Sequence, residues 1–172
     1  ITFKNNSGGT FNVSGFTTSF SGGSGNCITD LYVTNVHGCS PITIHDSVKS
    51  VGSSATGTTS FAFGLNVSAE GDYSHAEGEE TIASGDTSHA EGNNTLSIGY
   101  GSHAEGGVTT SIGNRSHAEG SFTTSYGNTS HAEGGLTISI GDYSHSEGDS
   151  TTSSGTSSHT EGRETTTIGN AS

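Results

Sequence analysis

The stretch GDYSHAEGEETIAS at residues 71–84 runs directly into GDTSHAEGNNTLSI at 85–98, and the pair decides how the rest of the chain is read. The same frame extends upstream to GTTSFAFGLNVSAE at 57–70 and downstream to GTSSHTEGRETTTI at 155–168. Gly heads every seventh residue from Gly57 to Gly169, with no insertion. From Gly71 two kinds of row alternate, giving a fourteen-residue unit. One carries SHAE at Ser74, Ser88, Ser102, Ser116 and Ser130, then SHSE at Ser144 and SHTE at Ser158. The other is looser, as in GEETIAS at 78–84 and GGVTTSI at 106–112.

Each row reads as a tight turn and a short strand. Gly supplies a positive φ or a crowded corner, and the polar residues after it complete the turn. The next four residues alternate small and variable, the period of a β-strand. So short a strand cannot stand alone. Two rows therefore make one coil of a flattened parallel β-solenoid, with coils ~4.8 Å apart. Ser74, Ala76, Ser88 and Ala90 are expected to face a lumen too narrow for anything larger. Just over eight coils give a rod of roughly 40 Å. An α-helix has no use for Gly at this period, collagen needs it at every third residue, and no Asp recurs as in a calcium-binding β-roll.

Composition alone would point to disorder, with 26% hydrophobic residues and 28 Gly. Strict periodicity reverses that reading, because repeats bury surface against their neighbours. The formal charge of −13 lies wholly beyond residue 56, since Lys4, Lys49, Asp30 and Asp46 cancel before it. Such a surface repels nucleic acid and anionic lipid, so neither is an expected partner. No apolar run approaches transmembrane length, and no membrane insertion is expected. A first residue Ile1 rather than Met is what a fragment or a processed product would show.

Two domains are expected: a small all-β shaft or adaptor at 1–56 and the SHAEG-repeat roll at 57–172. The first holds short strand-like runs such as LYVTNV at Leu31 and ITIHDSV at Ile42. Cys27 and Cys39 form no CxxC pair, which leaves a disulfide and two free thiols both open.

SFAFG at Ser60 and the SHAEG rows resemble the SVAIG-type repeats of YadA-like trimeric autotransporter adhesin heads. Tandem SHAEG also resembles stretches of phage and other viral fibre proteins, as does FKNNSGGTFNVSGF at Phe3. The resemblance implies a left-handed parallel β-roll and a homotrimer of three rolls around one axis. His and Glu stand where those repeats carry Val and Ile, and no coiled-coil stalk or membrane anchor is seen.

Two columns repeat once per coil: His75, His89, His103, His117, His131, His145 and His159, and Glu77, Glu91, Glu105, Glu119, Glu133, Glu147 and Glu161. Each His shares a strand face with the Glu two residues on. The preferred reading is a structural ladder of one-to-one His–Glu hydrogen bonds or ion pairs, or a trimer interface. Transition-metal binding by histidines one coil apart is the second reading, and neither metal nor cofactor is expected. Catalysis is the third and weakest, because Ser74 should point inward and His75 outward, too far apart to share a proton. Phe61 and Phe63 fall in the His75 and Glu77 columns, and the SVAIG resemblance places that face at the trimer axis. Leu96, Ile98, Ile112, Ile138, Ile140 and Ile168 on the looser rows compete for it by hydrophobicity. With the columns paired across subunits, Glu would raise the His pKa, against burial and the neighbouring His. Stability would then be greatest at mildly acidic to neutral pH and decline toward about pH 9.

The expected function is that of a structural, non-enzymatic segment of a phage or viral fibre: a rigid spacer with receptor-binding surface, on a virion or extracellular surface. Its partners would be its own copies and a host-surface glycan or protein. The alternative is the head of a bacterial trimeric surface adhesin. A glycan-processing fibre enzyme would need an inserted acidic cleft, and the frame offers none. NxS/T sequons such as Asn66 and Asn114 are a product of composition. Tyr73, Tyr100, Phe122 and Tyr143 are expected at turns, as receptor contacts or packed on the next coil.

Overall fold

A computed structural model of the chain describes residues 48–50 and 52–170, all within one unit spanning Ile42–Ser172. The expectations for 1–47, including the Cys27–Cys39 question, lie outside the described residues. Eighteen strands form two nine-stranded sheets. The odd strands form sheet one: β1 (Val48–Lys49), β3 (Phe61–Leu65), β5 (His75–Glu79), β7 (His89–Asn93), β9 (His103–Gly107), β11 (His117–Ser121), β13 (His131–Gly135), β15 (His145–Asp149) and β17 (His159–Thr160). The even strands form sheet two: β2 (Ser54–Ala55), β4 (Ser68–Ala69), β6 (Ile82–Ala83), β8 (Leu96–Ser97), β10 (Thr110–Ser111), β12 (Thr124–Ser125), β14 (Ile138–Ser139), β16 (Thr152–Ser153) and β18 (Thr166–Thr167).

Every pairing is parallel and advances by one fourteen-residue repeat, so His75 lies on His89, Ala76 on Ala90 and Glu77 on Glu91. This is the expected parallel solenoid of about eight coils. Among the described residues its first paired strands are at Val48 and Ser54. The two rows of a coil are not equivalent. SHAE strands run five residues through their glycine, whereas the looser rows give two-residue strands.

The lumen is filled as its alternation requires. Ser74, Ala76, Ser88 and Ala90 are all buried. Val67 is the one buried apolar residue larger than Ala among the described residues, so a hydrophobic core is nearly absent. Backbone ladders and small polar side chains hold the coils instead. Lumenal Ser hydroxyls donate back to the heptad glycine carbonyl, as from Ser116 to Gly113 at 2.6 Å. They also pair across the lumen, as Ser111 and Ser116 do at 2.6 Å. Such pairs satisfy buried hydroxyls that would otherwise carry a desolvation penalty.

Glycine serves two distinct ends. At Gly71 φ is not positive, but a Cβ would meet the Gly85 carbonyl oxygen at 2.1 Å. At Gly106 the φ is +108°, and a Cβ would also meet the Gly120 oxygen at 2.1 Å. The left-handed turn residue proper is two positions later and is usually not glycine: Tyr73, Val108, Phe122 and Leu136 have φ of 54–58°. L side chains tolerate that region poorly, β-branched ones least.

Candidate functional site: the histidine and glutamate columns

The outer face of sheet one carries both columns because His75 and Glu77 alternate with the lumenal Ser74 and Ala76. In-register parallel stacking then places identical residues one above another. The seven His rings stack at centroid separations of 4.6–4.9 Å, with interplanar angles of 2–23°. Phe61 closes one end of the column, edge-on to His75 at 4.8 Å. The rings from His75 to His145 are half-buried, and His159 at the far end is exposed.

Each His Nε2 from His75 to His145 faces the carboxylate two residues on, at 3.3–3.8 Å. The sequence reading expected seven one-to-one pairs, and the last coil departs from it: His159 approaches Glu147 at 3.7 Å, so Glu147 serves two rings. Of the two expected kinds of contact, hydrogen bond or ion pair, the distances fit the ion pair. Nε2 of His75, His89, His103, His117, His131 and His145 is buried without a hydrogen-bond partner. The separations of 3.7 Å at His117 and 3.8 Å at His145 are beyond hydrogen-bond reach.

Within a single chain the shift runs opposite to the rise expected of columns paired across subunits. His89, His103, His117 and His131 all lie below the ordinary value of 6.5. Burial is the main cause, and repulsion from the neighbouring stacked imidazoles adds to it. The glutamates pull the other way and are outweighed. At neutral pH these four imidazoles are therefore uncharged.

Ser74 is buried and donates to the Gly71 carbonyl at 2.6 Å, while His75 sits on the opposite face. The geometry does not bring this Ser and His together. Opposite the columns, the outer face of sheet two exposes Ile98, Tyr126 and Ile140, one coil apart or two. Tyr73, Tyr100, Phe122 and Tyr143 lie exposed at the turns.

Sequence reasoning missed the ladder of Asx side chains one residue after the heptad glycine. The Asp72 carboxylate accepts the Thr58 amide at 2.7 Å, and the Asn128 amide oxygen accepts the Asn114 amide at 3.1 Å. Those bonds tie successive turns together, and the Thr58 amide holds the Asp72 carboxyl below its usual range. The signal was present, since Asp or Asn recurs at 72, 86, 114, 128, 142 and 170.

A parallel β-solenoid with fourteen residues per coil and one ordered face of stacked side chains defines a class of extended repeat proteins. Within it, residues 76–102 match the YadA head domain repeat in two copies, so the chain contains YadA-type head repeats. No curated protein matches the chain.

Proposed function

We propose that the chain is a rigid spacer and display segment of an extracellular surface fibre, acting as a homotrimer without enzymatic activity. The observation that carries this is the unbroken in-register stack, two of whose repeats match the YadA head. A roll this thin, with a lumen of Ala, Ser and Thr, buries little apolar surface by itself. Packing three rolls together supplies the missing burial. The sheet-one face is taken as the inner one, because the half-buried rings and the exposed Phe63 share it with the column that SVAIG repeats fill with Val and Ile. Exposed turn aromatics such as Tyr73 and Tyr143 are left outward for a host glycan or protein.

Two parent particles fit this reading. The tandem SHAEG rows favour a phage or viral fibre, and the head-repeat match favours a bacterial adhesin head. Both place the chain outside the cell, and both require three copies. Multi-angle light scattering of the full chain at micromolar concentration is the test. Three times the monomer mass of 17.3 kDa is expected. A stable, well-folded monomer overturns the assembly. The non-enzymatic reading is supported by the separation of Ser74 from His75, and replacing all seven column His by Gln should change no measured turnover.

A further inference from the structure

Nε2 atoms without a hydrogen bond run along the column from His75 to His145, and between His117 and His145 they also cluster with carboxylates. His117, Glu119 and His131 offer three ligand atoms within 4.8 Å of one another, and so do His131, Glu133 and His145. The Nε2 atoms of all three histidines are buried and make no hydrogen bond. His131 Nε2 stands 3.5 Å from the Glu133 carboxylate, and His117 Nε2 stands 3.7 Å from that of Glu119. Those separations are poor for hydrogen bonds, but two ligands of one tetrahedral zinc ion, bound at 2.0–2.1 Å, lie about 3.4 Å apart.

We propose that this segment binds one divalent transition ion of the zinc class, held by the imidazoles of adjacent coils and the carboxylate between them. The donor set decides the class of ion. Imidazole with carboxylate suits zinc, nickel or copper, whereas calcium and magnesium prefer all-oxygen sites. Imidazole binds such an ion through the unprotonated ring nitrogen, so binding should weaken as pH falls. The two triads share His131, and one Nε2 binds one ion, so the pair holds one ion rather than two. Closing either triad brings ligand atoms as far as 4.8 Å apart to about 3.4 Å, and turns rings now stacked within 9° of parallel so that their lone pairs converge on the ion. The proposal concerns one chain and does not depend on the trimer.

The test is calorimetric titration of the full chain with zinc chloride alone at pH 7.5 in a non-coordinating buffer, with calcium and magnesium chloride run in parallel. Zinc should bind tightly at one ion per chain with a Kd below about 10 μM, any second ion at the more exposed Glu147, His159 and Glu161 group being weaker, and X-ray absorption should show imidazole in the zinc shell. His131→Gln, which removes the shared ligand, should weaken binding at least about tenfold. His75→Gln takes one ring from the same column outside both triads and should leave binding within about twofold. Circular dichroism confirms that each variant keeps its strands. If His131→Gln does not fold, the absorption spectrum of the unaltered chain decides alone. Absence of zinc binding, a zinc shell without imidazole, equal affinity for calcium, or equal loss in both variants would each overturn the proposal.

Discussion

At the scale of the residue, a corner glycine and a file of lumenal hydroxyls set the chain's tolerance to change. Gly106 is held at φ +108° under the Gly120 carbonyl, a conformation open only to glycine. Gly106→Ala should lower unfolding stability by about 3 kcal/mol or more, from backbone strain and steric overlap together. A denaturant midpoint unchanged from wild type would show that the coil spacing can relax. The second feature is a file of buried Thr hydroxyls. Those of Thr81, Thr95, Thr109, Thr123 and Thr137 have no partner, whereas Thr151 is satisfied by Ser146 at 2.8 Å. The difference lies in one atom, since Ser146 stands in the column that Ala104 and Ala118 occupy. Ala104→Ser should therefore give Thr109 the same partner and stabilise the chain by about 1 kcal/mol. A lowered melting temperature would mean that the lumen has no room for the hydroxyl. The buried Ala and Ser positions were legible in the sequence because strand alternation fixes them. The orphaned hydroxyls were not, because which lumenal side chains meet depends on how the two rows fold over each other.

At the scale of the element, the His column behaves as one unit. His89, His103, His117 and His131 are harder to protonate folded than unfolded. A base whose folded pKa is depressed contributes stability fully above its unfolded value of about 6.5 and loses it as pH falls through the folded value. Melting temperature should thus be highest above about pH 7 and fall on acidification below about pH 6.5. A variant with Gln at these four positions should flatten that limb between about pH 7 and 5, while general acid effects on carboxylates remain at lower pH. Coincident pH profiles for the two proteins would show that the column carries no linkage. The columns themselves were readable from the fourteen-residue period. The sign of their pKa was not, because it rests on the ring-to-ring stacking distance, which adds burial and mutual repulsion that no spacing in the sequence reveals.

At the scale of the whole molecule, two outer faces compete for the axis of the proposed trimer. Sheet one presents the columns and the exposed Phe63, and sheet two presents Ile98, Ile112, Tyr126 and Ile140. With sheet one inward, Phe63→Arg places three cations at the axis and should raise the dissociation constant at least about thirtyfold, roughly 2 kcal/mol. Ile112→Arg on the other face should leave the oligomer intact. Light scattering across a dilution series reads both, and the opposite pattern would turn the roll around. The faces were identifiable in advance because strand alternation sorts residues into lumen and exterior. Their ranking was not, because hydrophobicity and repeat phase point to different sheets.

The sequence by itself determined the parallel solenoid, its fourteen-residue coil, its lumen and its two chemical columns. A strict period with glycine at every corner admits only an in-register parallel stack, and the register then follows from identity between repeats. Tertiary structure alone decided what those columns do to one another. It showed rings stacked beside their glutamates, four of them harder to protonate than a free imidazole, and ligand atoms from adjacent coils within 4.8 Å of one another. It also placed the left-handed turn residue two positions after the glycine, at Val108 and Phe122 among others. Period fixes which residues recur on a face, but the angle at which a side chain leaves the strand, and what lies one coil away at that angle, exist only once the coils are wound.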